Sequence, residues 1–162
     1  PNKTGMRGAW HLLPVTMSAA RRHCVAAAIP GQDGKEELFV CGGCHTFSDP
    51  CSVLNGTDIF EVHGERGSRQ RSAPPMPRPR SCHAGASLGG RVYVCGGIGY
   101  DGSTILGLAT VDCYDPMIEV WSSSAPMPQP RMHSVAVVMD GFLCILGGRT
   151  PAFDNKSASD QT

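Results

Sequence analysis

The sequence predicts an all-β fold: an incomplete β-propeller of about three blades, each made of four antiparallel strands. Three observations carry this expectation. Among 162 residues, 20 Gly and 13 Pro punctuate the chain so densely that long helices have no room. A block of sequence recurs with a period near 50, the length of a propeller blade. Within each block two short apolar runs are split by a Gly-containing pair, the mark of a tight hairpin.

The repeat reads as follows. Met76-Pro77-Arg78-Pro79-Arg80 returns as Met127-Pro128-Gln129-Pro130-Arg131, shifted by 51 residues, and Cys95-Gly96-Gly97 returns as Leu146-Gly147-Gly148 at the same shift. A looser copy runs from Met17-Ser18-Ala19-Ala20-Arg21 to Cys41-Gly42-Gly43, with five extra residues placed in the loop Pro30 to Lys35. In the middle copy, Ala84 to Leu88 is a short strand, Gly89-Gly90 a turn and Val92 to Cys95 the returning strand. The third copy repeats the hairpin as Val135 to Met139, Asp140-Gly141 and Phe142 to Leu146. These strands lack polar alternation, as expected when both faces are covered. Thr110 to Tyr114 is an alternating strand, Asp115-Pro116 turns it, and Ile118 to Trp121 forms the outer strand. Each Gly-Gly pair is expected at positive φ, where backbones crowd together. The reading divides the chain into 1–16, 17–75, 76–126, 127–149 and a disordered tail, 150–162. Residues 1–16 are read as the outer strand of a truncated preceding blade, with Trp10 on it.

Composition removes several classes of function. Fourteen Lys+Arg balance fourteen Asp+Glu, which argues against nucleic acid or an anionic membrane surface as partner. The longest apolar runs are five residues, far short of the roughly 20 that a spanning helix needs. No signal peptide is read at the amino end, and Pro1 in place of Met predicts a piece cut from something longer.

Motif-like stretches dissolve into the repeat. Cys41-Gly42-Gly43-Cys44-His45 fits a haem-attachment pattern, but Cys41-Gly42-Gly43 is the same feature as Cys95-Gly96-Gly97. As zinc ligands these residues, with Cys51, lack the second closely spaced pair of a structural site. No metal and no cofactor is expected. Gly85-Ala86-Ser87-Leu88-Gly89 fits a hydrolase elbow, yet Ser87 falls inside a hairpin and not at a strand-to-helix turn. Paired carboxylates, a metal cluster and a phosphate loop are all missing, so no enzyme is expected.

Cys24, Cys82, Cys95, Cys113 and Cys144 sit in or beside apolar strands, where free Cys packs as a small hydrophobe. Asn2, Asn55 and Asn155 stand in glycosylation sequons, but without a signal peptide the reading favours reduced cytoplasm. Arg66, Arg69, Arg71, Arg78 and Arg80 are read as a solvated loop entering the next blade. Arg80 and Arg131 recur at one repeat position, which predicts blade-to-blade tethers bonded to carbonyls, with ligand contact as the alternative.

Met-Pro-x-Pro-Arg, an apolar hairpin, Gly-Gly, Tyr114-Asp115-Pro116 and Trp121 seven residues after the Tyr together resemble the kelch repeat, over roughly residues 8 to 149. The first copy departs from it, with Phe60 for the Tyr and no Trp. The kelch architecture also includes galactose-oxidase-like copper enzymes, whose Tyr, His and Cys set cannot be assembled here. With this Met-Pro-x-Pro-Arg stretch the blades look most like those of the Kelch-like proteins. There the propeller selects a substrate, and preceding BTB and helical domains bind cullin-3 of a ubiquitin ligase. The resemblance implies a substrate protein or peptide on the propeller face, and cullin-3 held by parent domains outside this chain. The alternatives are an actin-binding cytoskeletal protein and an extracellular kelch module. In the Kelch-like family two loop sets on one face of the channel contact the substrate. The first, at and after the repeat Arg, matches Arg21, Arg22 and His23; Arg80, Ser81 and Cys82; and Arg131, Met132 and His133. The second, after Gly-Gly, matches Cys44 and His45, Ile98 and Tyr100, and Arg149. His45, Tyr100, His133 and Arg149 are the expected anchors, because exposed aromatic, His and Arg side chains serve that role well.

Overall fold

The structure, a computed structural model, describes residues 12–31, 33–46, 52–62, 68–100, 102 and 104–150. Trp10, Cys51, Arg66, Asn2, Asn155 and the tail from 151 onward lie outside the described residues. The chain is an all-β, incomplete propeller.

Strands β1 (Val25–Pro30), β2 (Glu36–Cys41), β3 (Thr57–Glu61) and β4 (Arg69–Ala73) form one antiparallel sheet in chain order. The second sheet holds β5 (Ala84–Leu88), β6 (Arg91–Cys95), β9 (Val111–Asp115) and β10 (Val120–Ser124), again from inside to outside. Between β6 and β9 the hairpin β7 (Ile98–Tyr100) and β8 (Ile105–Gly107) stands apart as its own two-stranded sheet. A third unit holds β11 (Met132–Met139) and β12 (Phe142–Arg149). The first strands of the three units stack in turn, β1 on β5 and β5 on β11.

Two strand expectations needed adjusting, and one hairpin had no expectation at all. The stretch expected as a solvated arginine loop contains β4, whose Arg69–Ala73 pairs along β3 in register Glu61↔Arg69 to Thr57↔Ala73. Its polar residues suit an outermost strand, and Arg71 there meets Glu37 (3.2 Å) and Glu119. The outer strand β10 begins at Val120, not Ile118, because the Asp115 carboxylate accepts from the Met117 amide (3.0 Å) and extends the turn through Glu119. Hairpin β7–β8 lacks the branched apolar alternation that identifies a strand from sequence alone.

The core lies between the two complete sheets. Val25, Ile29, Phe39, Cys41 and Ile59 of the first meet Val92, Val94 and Tyr114 of the second, with Met76 inserted at the junction. Phe39, Tyr114 and Trp121 form an aromatic cluster with ring centroids 5.0 to 6.1 Å apart. The Trp121 indole N–H donates to the Pro74 carbonyl at 2.9 Å, which ties the second blade's outer strand to the end of the first. Met76 is therefore a core plug, packed in one cluster with Tyr114 and Trp121.

The Gly-Gly pairs adopt positive φ as expected: 65° and 94° at Gly42 and Gly43, 64° and 90° at Gly96 and Gly97, 66° and 74° at Gly147 and Gly148. At the second glycine the crowding comes from its own copy, a Cβ on Gly97 standing 2.5 Å from the Ser81 carbonyl, and at the first glycine it comes from the following copy. A Cβ on Gly42 would stand 2.7 Å from the Arg80 carbonyl, and one on Gly96 would stand 2.4 Å from that of Arg131. At Gly147, with no further copy among the described residues, nothing lies within 4 Å.

Candidate functional site

The recurring arginine brings order to each blade from within. Arg80 is fully buried; its guanidinium donates to the carbonyls of Gly96 (3.1 Å) and Thr110 (3.2 Å) and to the Asp112 carboxylate. Arg21 repeats the pattern at Gly42 (3.2 Å), Gly56 (2.8 Å) and Asp58 (2.8 Å). Arg131 keeps the first of these bonds, to Gly147 at 2.9 Å. All of these partners belong to the same unit as the arginine, so the side chain is a brace inside a blade and not a tether between blades. The tether is the backbone of the same residue: the Gly43 N–H donates to the Arg80 carbonyl (2.9 Å) and Gly97 to that of Arg131 (2.7 Å).

The two loop sets are brought directly together. Arg22 and Cys44 exchange backbone hydrogen bonds at 3.1 and 3.0 Å, and Ser81 and Ile98 do so at 2.9 Å both ways. Met132 faces Arg149 in the β11–β12 register. In every copy, then, the residue after the repeat Arg is paired with the residue after Gly-Gly, and the two sets form one end of the molecule.

Solvent access then divides the candidates. Arg80, Ser81, Cys82, Cys44 and Met132 are buried and do not present side chains to a partner protein. This corrects the expectation for those five: the bridges that assemble the face consume or cover them. Arg22, His23, His45, His133 and Arg149 are exposed, while Ile98, Tyr100 and Arg131 are half-buried. The Arg22 guanidinium donates to the His45 carbonyl (2.9 Å), His45 Nδ1 meets the Ala20 carbonyl (2.8 Å), and the Tyr100 hydroxyl donates to the Gly102 carbonyl (2.9 Å). The His23 and His133 rings meet edge to face, centroids 5.8 Å apart. Burial, the His133 ring and the Arg22 guanidinium, in that order, hold the His23 pKa below the usual histidine value.

Behind this surface lies His83, which the sequence reading passed over. It is buried between the Gly-Gly pairs of the first two blades, its ring carbon 2.6 Å from where a Gly42 Cβ would be. Burial, and after it the Arg80 charge, push its pKa down to about 3, so it is neutral in the fold. A His beside a buried Arg is visible in the sequence only as a neighbour of the repeat; its burial is not.

The other motif-like residues take structural places. Cys41 and Cys44 are buried, and burial drives the Cys41 thiol far above its ordinary range. The Ser87 hydroxyl donates to the Ala28 carbonyl of the neighbouring blade. The Asn55 amide of the sequon donates to the Met76 carbonyl (3.4 Å) at the blade junction. The cysteines among the described residues are free thiols. Among the described residues no helix is long and apolar enough to cross a membrane.

Comparison with known proteins agrees with this geometry. The Kelch motif family matches residues 79–128. Kelch-like protein 33 of Homo sapiens is 32% identical over 139 residues, 86% of this chain and 24% of that protein. The F-box/kelch-repeat protein At1g67480 of Arabidopsis thaliana is 31% identical over 118 residues, 73% of this chain and 29% of its own length. The chain thus spans about a quarter of the curated relatives it matches. Among solved structures, that of YjhT superposes with a TM-score of 0.67 at 15% identity, covering 85% of this chain and 41% of that one, which shows the fold alone.

Proposed function

Starting from a chain that carries kelch repeats and is similar to the Kelch-like proteins, we propose that its function is non-catalytic protein binding. In this reading it is the substrate-recognition propeller of a cytoplasmic cullin-3 ubiquitin-ligase adaptor, with cullin-3 bound by other domains of the parent. The observation that supports the binding face is the pairing of the two loop sets in all three copies. That pairing leaves Arg22, His23, His45, His133 and Arg149 together at the solvent end. Every one of these side chains is a cation or a hydrogen-bonding imidazole, so the partner segment they suit carries carboxylates.

The test is a peptide array probed with the purified chain and with Arg22→Glu and Arg149→Glu. Acidic peptides retained by the wild type and lost by both reversals support the face. Equal retention by all three proteins overturns it. The adaptor step is tested separately, by asking whether the parent protein co-purifies with cullin-3. Its failure there would leave a binding module without a ligase role.

A further inference from the structure

We infer that His23, Cys82 and His133 form a binding site for a single zinc ion at the end of the propeller channel. The three residues hold equivalent positions, each two residues after its repeat Arg, with His23 and Cys82 just before β1 and β5 and His133 at the second position of β11. Their nitrogen and sulfur ligand atoms all lie within 4.8 Å of one another. Two imidazoles and one thiolate are a donor set that zinc takes, with a fourth tetrahedral position left open for water. Metal–ligand distances of about 2.0–2.3 Å place tetrahedral ligands about 3.3–3.8 Å apart. Closing the cluster on an ion therefore takes about an ångström of side-chain movement, and the two His rings are exposed and can turn.

The backbone holds the three residues in place for this. The Cys82 N–H donates to the His23 carbonyl (3.1 Å), and the His133 N–H donates to the Cys82 carbonyl (2.9 Å). These two bonds run from copy to copy and fix the three Cα positions relative to one another. All three residues have left-handed backbone, φ 57°, 55° and 55°, a conformation that glycine or asparagine would adopt with less strain. His, Cys and His at three such positions put metal-binding side chains where a bare turn would serve the fold. Binding displaces the Cys82 thiol proton, so uptake of one Zn²⁺ releases one H⁺. The site shares His23 and His133 with the proposed partner face, and it holds whether or not that face takes a partner protein.

Cobalt is the probe. Titrating Co²⁺ into the reduced 162-residue chain should give tetrahedral visible bands and a thiolate-to-cobalt charge-transfer band that saturate at one equivalent, and Zn²⁺ should abolish both. Cys82→Ser should remove the charge-transfer band, whereas Cys24→Ser should keep it. His23→Asn and His133→Asn, exposed positions where Asn accepts the left-handed backbone, should each weaken Zn²⁺ binding at least tenfold in a competition assay. These two variants carry the test if Cys82→Ser does not fold. A chain that gives no charge-transfer band, one whose band survives Cys82→Ser, or Zn²⁺ affinity unchanged in both His variants would overturn the assignment.

Discussion

The Arg80 guanidinium and the Asp112 carboxylate meet in an ion pair from which solvent is wholly excluded, both side chains at 0% exposure. Arg78 Nε stands 3.6 Å from the same carboxylate oxygen, and Arg80 Nη1 donates to the Gly96 and Thr110 carbonyls, while the buried Arg80 Nε has no partner among the described residues. The pair thus locks the start of the second blade to the ends of its β6 and β9 strands. Removing either partner strands a charge in the interior, which costs about 3–5 kcal/mol. Arg80→Met and Asp112→Asn should each lower the urea midpoint accordingly. The double variant Arg80→Met/Asp112→Leu should recover a good part of the loss. By contrast Lys35→Ala, which removes an exposed partner of Asp33, should leave the midpoint within error.

His83 sets a pH dependence with a definite sign. Its pKa in the fold is about 3, against about 6.5 in the unfolded chain. The unfolded state therefore binds the extra proton between these values. The fold is at full strength above about pH 6.5 and loses stability as the pH falls toward 3. Between pH 7 and 5 this one group accounts for about 2 kcal/mol. Urea unfolding of His83→Gln should show a stability profile flatter than wild type by that amount. Parallel profiles would mean that the ring is solvated.

The first glycine of each Gly-Gly pair tests blade-to-blade packing. Gly96→Ala forces a methyl to 2.4 Å from the Arg131 carbonyl at a φ of 64°, whereas Gly147→Ala meets open space at a φ of 66°. Both pay for the left-handed backbone, about 1–2 kcal/mol, and only the first also displaces a neighbouring strand. Thermal unfolding should place Gly96→Ala well below Gly147→Ala. Equal midpoints would show that the third unit does not pack against the second as described.

Tyr114 is fully buried in the aromatic cluster, and its hydroxyl has no hydrogen-bond partner among the described residues. An unsatisfied buried hydroxyl works against the fold. Tyr114→Phe should therefore unfold at the same denaturant concentration as wild type or a slightly higher one. Phe60, the matching residue of the first blade, already lacks the hydroxyl. Tyr114→Ala, which also empties the space between Phe39 and Trp121, should cost about 3–5 kcal/mol.

The sequence by itself determined the repeat, the hairpins and the positive φ of the Gly-Gly pairs. Each of these is local: a fixed spacing of Met, Arg and glycine, or two apolar runs around a turn, constrains a few neighbouring residues whatever surrounds them. The resemblance to the Kelch-like proteins then supplied both halves of the candidate face, which hold fixed offsets from the repeat's own landmarks. Strand β4 was illegible, since Arg69 to Ala73 has the composition of a loop and becomes a strand only because β3 offers it an edge. Tertiary structure alone decided which way each side chain is spent. Arg80 and Arg22 are one residue type near one repeat position, yet Arg80 turns inward to a buried carboxylate and Arg22 outward to solvent. Likewise His23, Cys82 and His133 come from three separate repeats, and no spacing rule links them. They meet because copy-to-copy hydrogen bonds bring equivalent positions together around the channel. Burial and convergence are properties of that assembly, and a linear pattern carries neither.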